Sequence, residues 1–473
     1  MTAPRPRIHF VSLGCSKNRV DTEVMLGVAD NAGYTLSADA ESADVIVVNT
    51  CGFIGPAKEE SIDTILEMAE FKEAGSCKKL VVAGCLSQRY PDQLAAEMPE
   101  VDHFLGSSDM LRLGDVLRGT PDRMLVGNPA AYTIRATDPR VLSGPKHSAY
   151  VKIAEGCNRT CSFCAIPSIR GKQRSRPIDD VVAEVTRLAA NGTIEVNLVS
   201  QDTIAYGRDL ADKPTLAQLV RALGDIEALR WIRLHYLYPE TLTDELVELI
   251  ANHPKIVKYV DMPLQHASDA MLRRMKRGHG GDRLRRVVEK VRTRIPGVVF
   301  RTAFIVGHPG ETDADFDELC TFVEWARFDH VGVFRYSDEE NVASHEQDAK
   351  VPAKTSAARH RKLMALQRPI AREKNRARIG QTLEVLVEGP STEHEFVMQG
   401  RHAGQAPEVD GLVFLSGGDF EQGTIVRAIV TQTADFDLVA EAEGTPEALE
   451  ALDRAKTVRP KRRVSLRTLV EKR

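Results

Sequence analysis

Six of the eight cysteines in this 473-residue chain fall into two sets that could do metal chemistry. The segment EGCNRTCSFCAIPSIRG puts Cys157, Cys161 and Cys164 in a C-x3-C-x2-C loop directly after an apolar run, AYVKIAE. Thiolates this close together can wrap one soft metal centre, and three of them leave one coordination position open. A fourth cysteine would close the site for electron transfer, but the nearest along the chain are Cys85 and Cys320. A structural zinc loop is the plain alternative. Zinc in such a role wants four ligands, and the nearest candidate, His147, precedes the loop and would have to fold back.

The second set is spread out. Cys15, Cys51 and Cys85 are 36 and 34 residues apart, yet each ends an apolar run: IHFVSLGC, DVIVVNTC and KLVVAGC. In a parallel sheet the carboxyl ends of the strands share one edge, and ligands gather there. Three cysteines at three such ends should converge. Gly14, Gly52 and Gly84 beside them would let the backbone approach a bulky group. Against this stands the fact that buried free cysteine is common in strands. Cys77 and Cys320 have no such partners; Cys320 falls within an amphipathic helical pattern and reads as core.

The elements that must position these residues follow from periodicity. The chain is too long for one core, so about three domains are expected. Residues 1–130 alternate buried strand runs with helical patterns such as DTEVMLGVADNAG and KEESIDTILEMAEF, which predicts a small parallel α/β domain. A polar stretch, 131–147, reads as a linker. Residues 148–379 repeat the alternation six times, through AYVKIAE, IEVNLVS, RWIRLHYLY, VKYVDMP, VVFRTAFIVG and DHVGVFRYS, and end in a basic helix from about 353. Six units suit a partial (β/α)6 barrel rather than an eight-unit one. Residues 380–443 switch to short strands and turns (TLEVLVEG, GLVFLSGG, GTIVRAIVTQ, FDLVAEA), which predicts a small β-barrel. The fold class is thus α/β with a terminal β-barrel, and residues 444–473 read as a basic, disordered tail.

Composition is that of an ordinary globular protein, 42% hydrophobic and 27% charged with a net charge of -4. No stretch approaches the ~20 apolar residues that cross a bilayer, and the first residues lack a signal-peptide apolar region. The expectation is a cytoplasmic protein without a membrane partner, where clustered cysteines point to metals or catalysis rather than disulfides.

CNRTCSFC resembles the cluster loop of the radical S-adenosylmethionine superfamily, whose partial barrel is the fold inferred above. The resemblance implies a 4Fe-4S cluster on Cys157, Cys161 and Cys164 whose open iron binds S-adenosylmethionine and cleaves it to a 5′-deoxyadenosyl radical. The order of cysteine-bearing α/β domain, barrel and terminal OB-like β-barrel (a TRAM domain) resembles the methylthiotransferases over residues 8 to about 443. That family carries an auxiliary 4Fe-4S cluster, here implied on Cys15, Cys51 and Cys85, and uses one cofactor molecule to methylate sulfur and a second as radical source. SLGCSKNRVDTE, VDMPLQHASDAMLRRMKRG and HYLYPETLTDELVELIA resemble the RimO branch, which modifies the β-carbon of an aspartate of ribosomal protein S12. The alternatives are the MiaB branch, which modifies adenosine in tRNA, and a non-catalytic iron–sulfur protein that docks on the ribosome. One departure is SDEENVAS (337–344), where the family usually has Gly-Thr after the acidic pair.

Barrel enzymes build their sites at strand carboxyl ends: here Glu155-Gly156, Ser200-Gln201-Asp202, His235-Tyr236, Gln265-His266, the 307–311 turn and Arg335-Tyr336-Ser337. The resemblance favours Gln201, Gln265, Arg301, Gly307, Gly310 and Glu311 as cofactor contacts. His266 and His308 read as satisfied loop histidines. Charge bears on the partner. Residues 381–443 hold 12 acidic side chains against Arg401 and Arg427. Such a surface opposes the counterion release that drives RNA binding and complements a basic protein. Residues 456–473 carry eight Lys/Arg and one Glu, a tail that could touch ribosomal RNA. A one-electron donor such as a flavodoxin or ferredoxin and a monomeric state complete the expectations.

Overall fold

The computed structural model describes residues 5–392 and 397–445; the basic tail lies outside them, apart from its first two residues. The chain divides into two compact units, Met1–Gln367 and Arg368–Arg473.

The first unit opens with a parallel α/β layer. Its elements are β1 (Arg7–Ser12), α1 (Ser16–Asn31), β2 (Thr35–Leu36), β3 (Val45–Thr50), α2 (Gly55–Ala74), β4 (Lys79–Gly84), α3 (Cys85–Arg89), α4 (Pro91–Glu97), β5 (His103–Leu105), α5 (Leu113–Leu117) and β6 (Met124–Leu125). The six strands form one parallel sheet in the order β2-β1-β3-β4-β5-β6. Val45 to Thr50 are buried on both faces, as a central parallel strand must be when helices cover both sides. Val20, Val24 and Val28 of α1 pack on one face with Val45, Val47 and Val81. Ile65 and Met68 of α2 and Leu94 of α4 cover Ile46, Val48 and Val82 on the other.

The barrel follows: β7 (Ser148–Lys152), β8 (Ala154–Glu155), α6 (Ile166–Arg170), β9 (Arg174–Ser175), α7 (Ile178–Ala190), β10 (Glu195–Val199), α8 (Leu216–Gly224), β11 (Trp231–Leu234), α9 (Asp244–Asn252), β12 (Tyr259–Asp261), α10 (Asp269–Arg274), α11 (Gly281–Arg294), β13 (Val299–Val306), α12 (Asp313–Ala326), β14 (His330–Arg335) and α13 (Ala353–Arg376). Strands β7, β10 and β11 pair in parallel, as do β12, β13 and β14. A parallel bridge between Ile232 and Ile256 joins the two triplets. Helix starts are capped locally: Thr215, Thr243, Ser268 and Thr312 each accept a hydrogen bond from the amide three residues on, which satisfies an otherwise orphaned donor.

The stretch read as a linker is pinned down instead. Buried Arg140 donates to Glu23 of α1 and to the Tyr150 carbonyl, and pairs with Glu184 of α7. Ala136 donates its amide to Asp180 and receives Arg187 on its carbonyl. An arginine between two buried carboxylates is costly to expose, so this segment staples the α/β layer to the barrel, and the two expected domains share one unit.

In the second unit β15 (Thr382–Pro390), β16 (Met398–His402), β17 (Val413–Ser416), β18 (Ile425–Thr433) and β19 (Leu438–Ala442) close a barrel in the order β15-β16-β17-β19-β18. Strand β16, MQGRH, was not foreseen; it has no run of apolar residues to mark it. Val385, Val387, Val413, Leu415, Val430 and Leu438 fill the barrel. Among the described residues no helix is long and apolar enough to cross a membrane.

Candidate functional site: two cysteine trios

Each cysteine of the spread-out set stands where a strand hands over to a helix. Cys15 is the residue before α1, Cys51 follows β3, and Cys85 is the first residue of α3. The first amides of α1, those of Lys17 and Asn18, meet the Cys15 sulfur. The three thiols converge: an added Cβ on Gly14 would lie 2.9 Å from Cys51 Cβ and 3.3 Å from its Sγ. Burial pushes the Cys51 thiol up to about 12, and the neighbouring sulfurs of Cys85 and Cys15 add to the shift. Burial also raises Cys85, against the pull of Arg170. Surrounding protein bulk penalises the charged form of Cys15, but Lys17 and Arg170 outweigh it and lower that pKa. Gly84 has φ 97°, and a Cβ there would sit 2.3 Å from Asn49 Oδ1 and 2.8 Å from the Thr50 carbonyl; only glycine fits this handover.

The contiguous set forms a loop behind β8. Cys157 donates its amide to the Gly171 carbonyl, and Arg159 donates its amide to Cys157 Sγ at 3.4 Å. Burial raises the Cys157 and Cys164 thiols to about 11 and about 12, and Cys161 lies close enough to both sulfurs to add to this. Thiols that oppose one another's ionisation in a buried place suit a soft cationic centre, which removes the protons and balances the charge. Three sulfur donors is the number that a 4Fe-4S cluster with one open iron takes, so the chemistry of each trio fits the cluster expected there from the sequence.

The trios are tied together. Helix α6 starts two residues after Cys164 and ends at Arg170, whose Nη2 donates to Cys85 Sγ at 3.3 Å. Five helical residues rise about 8 Å. Cys85 packs with Ala165, Ile169 and Val342. The same arginine reaches Asp21 and Glu155 through Nη1 and Asn18 through Nη2. Lys152 pairs with both of those carboxylates. Lys17 of α1 lies 3.3 Å from the Tyr236 ring centroid. None of Asn18, Asp21, Lys152 or Arg170 was singled out from the sequence; an arginine closing the short apolar turn AIPSIR was the available signal.

The remaining candidates stand around the strand ends. Gln201 donates to Glu155 at 2.7 Å, and its buried Oε1 has no protein partner. Asp202 Oδ1, Arg159 Nη2 and Arg277 Nε are likewise buried and unpartnered. Orphaned polar atoms beside the loop suit a polar cofactor that would satisfy them. Gln265 takes φ 72° where the chain bridges to Phe304. Arg301 donates to Asp261 at 3.1 Å. Burial opposes ionised Asp261, yet Arg301 and His235 hold its pKa down to about 2. Gly307 and Gly310 face Ser356 and Arg274 at distances that leave no room for a Cβ. Glu311 is spent internally: its carboxylate receives the Gly307 amide, Arg359 Nη1 and His266 Nε2. It therefore holds the 307–311 turn in shape rather than offering a free oxygen to a cofactor. His266 and His308 are satisfied, the first by Glu311 and the Ser268 amide, the second by the Pro309 carbonyl and Ser162. Cys77 and Cys320 are buried in separate apolar surroundings.

The 337–344 loop bridges the trios. Asn341 has φ 62°, a left-handed conformation that asparagine tolerates and glycine favours. Asn341 thus keeps the backbone shape that Gly permits, and the departure from the family spelling leaves the loop intact. Ser344 donates its amide to Ser162 between two cysteines, and Glu339 is held by Lys58 and Arg89.

A partial parallel barrel with a three-cysteine loop behind its first strand defines a radical S-adenosylmethionine enzyme, and the second trio adds a further sulfur site. Profile comparisons agree: "Uncharacterized protein family UPF0004" matches residues 7–106, the radical SAM superfamily 151–323 and the TRAM domain 379–442. A "Ribosomal protein uS12 methylthiotransferase RimO" from Sorangium cellulosum is 65% identical over 98% of this chain and 97% of its own. A protein of the same name from Myxococcus xanthus is 51% identical over 97% and 96%. The chain belongs to the RimO family of radical SAM methylthiotransferases, whose cofactors are two 4Fe-4S clusters and S-adenosylmethionine. Among solved structures, the radical S-adenosylmethionine methyltransferase TsrM from Kitasatospora setae shares the fold, with a TM-score of 0.50 and 16% identity over 70% of this chain and 75% of that one.

Proposed function

We propose that this chain adds a methylthio group to the β-carbon of an aspartate in ribosomal protein uS12. Cys157, Cys161 and Cys164 hold the cluster that faces S-adenosylmethionine; Cys15, Cys51 and Cys85 hold the auxiliary cluster. When bound, the clusters and S-adenosylmethionine supply the one-electron chemistry that activates carbon and the sulfur that is methylated and delivered.

The protein's own part is positioning and exclusion of water. Gln201, oriented by its bond to Glu155, presents Oε1 toward the strand ends where the cofactor would lie. Arg301 is fixed by Asp261, and Gln265 by its backbone bridge, so both side chains start from rigid positions. Arg277 places Nη1 3.4 Å from Cys161 Sγ and supports the anionic sulfur. Ala165, Ile169 and Val342 keep water from Cys85. No dedicated general base is assigned, because hydrogen is removed as an atom rather than as a proton.

The observation that carries the reading is the pair of all-sulfur trios joined by one short helix. The partner follows from charge: residues 381–443 carry a net charge of -10, which suits the basic uS12 and opposes an RNA backbone. A flavodoxin or ferredoxin serves as electron donor, the chain acts as a monomer, and the basic tail contacts ribosomal RNA. Two measurements test the reading. Iron and sulfide analysis should give about eight irons per chain, falling to about four in Cys15→Ala/Cys51→Ala/Cys85→Ala. Expression in a strain lacking its own enzyme should restore a methylthio adduct on the uS12 aspartate peptide; an unmodified peptide beside newly methylthiolated tRNA would overturn the choice of substrate.

A further inference from the structure

Building on the two-cluster reading, we propose that Arg170 is a positioning residue of the auxiliary centre, donating a hydrogen bond to the Cys85 thiolate and raising that centre's reduction potential. Four observations carry this. Arg170 is buried, with a side chain 2% exposed, and its Nη2 lies 3.3 Å from Cys85 Sγ. Its charge balances one of the two carboxylates beside it, yet only one of its two terminal nitrogens is used on them. Asp21 and Glu155 are two anions, and Lys152 already pairs with both while Arg170 uses only Nη1 for them. The second fork, Nη2, is left for Asn18 and the sulfur.

Asn18 fixes the fork from the far side. Its Nδ2 donates to the Leu13 and Thr50 carbonyls, next to the residues that carry Cys15 and Cys51. One asparagine thereby ties two cysteine-bearing strand ends to the arginine that meets the third. Finally, Arg170 is the last residue of the helix that starts behind Cys164. Any shift of the auxiliary sulfurs relative to the Cys157–Cys164 loop must move this helix.

Three thiolates on an iron–sulfur core give a net negative centre that becomes more negative on reduction, so a charge-assisted N–H···S bond favours the reduced form. Lysine cannot substitute fully. It is a point charge without the planar fork that meets Asp21, Asn18 and Cys85 together.

The test uses the full chain with Cys157→Ala, Cys161→Ala and Cys164→Ala, so that only the auxiliary centre remains, loaded anaerobically with iron and sulfide. In protein labelled with nitrogen-15 arginine, pulsed electron paramagnetic resonance of the reduced centre should show a nitrogen coupling that disappears in Arg170→Lys. Redox titration should give a more negative midpoint for Arg170→Gln, with Arg170→Lys in between, while each variant keeps about four irons per chain. Absence of the coupling with Arg170 in place, or equal midpoints in all three proteins, would overturn the assignment. The coupling is read with Arg170 present, so it decides even if Arg170→Gln fails to fold. Failure of the triple-alanine parent to take up iron would instead remove the two-cluster reading, and the role of Arg170 with it.

Discussion

Replacing Glu339 by Gln should loosen the strap that crosses from the barrel to the auxiliary cysteines. Glu339 Oε2 receives Lys58 Nζ at 2.8 Å and Arg89 Nη1 at 2.9 Å, and Ser337 Oγ donates to Oε1. The Glu339 and Arg89 side chains are 2% and 5% exposed, whereas Lys58 is 23% exposed. Arg89 ends the helix that Cys85 begins, and it also donates to the Gly52 carbonyl beside Cys51. Removing one charge of a buried pair costs about 3–5 kcal/mol, because the other is left uncompensated. The Lys58 arm, closer to water, contributes under about 1 kcal/mol. Glutamine keeps the shape, and Arg89 keeps its carbonyl partners, so the lower end applies: about 3 kcal/mol. For a unit that runs from Met1 to Gln367 that lowers the apparent melting temperature by about 4 °C. Calorimetry of the apoprotein measures the shift, and a double-mutant cycle with Arg89→Met isolates the pair, with an expected coupling of about 2 kcal/mol. A Glu339→Gln protein within about 0.5 kcal/mol of wild type, or losses that simply add in the double variant, would refute the reasoning.

Asn341→Gly should be neutral within about 0.5 kcal/mol, while Asn341→Val should cost about 1–2 kcal/mol, because φ 62° is strained for a β-branched residue; denaturant titration compares them. Gly84→Ala should cost more than about 3 kcal/mol and lower auxiliary iron, since the new Cβ meets backbone and a buried amide with no room to move. Iron analysis and thermal melting read this change. Burial, aided by the charge of Arg277, lowers the His279 pKa to about 4. Between the ordinary value and pH 4 the unfolded chain therefore binds up to about one proton more than the native one. Apoprotein stability should be full above that window and fall with pH through it, and His279→Gln should flatten the slope; an unchanged slope would contradict the assignment.

What was legible in the sequence was local. Each cysteine of the spread-out set lies against an apolar run, and parallel strands bring their carboxyl ends to one edge whatever the rest of the chain does. In the barrel, β10 and β11 are buried throughout while β14 is not, and it was the alternation of apolar runs with helical patterns that marked all six strands. Strand β16 escaped because a barrel wall can accept Gln, Gly and Arg, with Arg401 neutralised by Glu388. The stretch 131–147 looked like a linker because charge reads as exposure until its partners are known, and Glu23 and Glu184 lie far from Arg140 along the chain.

The chemistry proposed for the protein was thus written in residue types and spacing: six sulfurs in two trios. How the trios are coupled belongs to the tertiary structure alone. Arg170 meets Cys85 across 85 positions and Asn18 across 152. No periodicity encodes such contacts, because they arise only when the α/β layer and the barrel bury their polar groups against each other and every buried charge must find a partner.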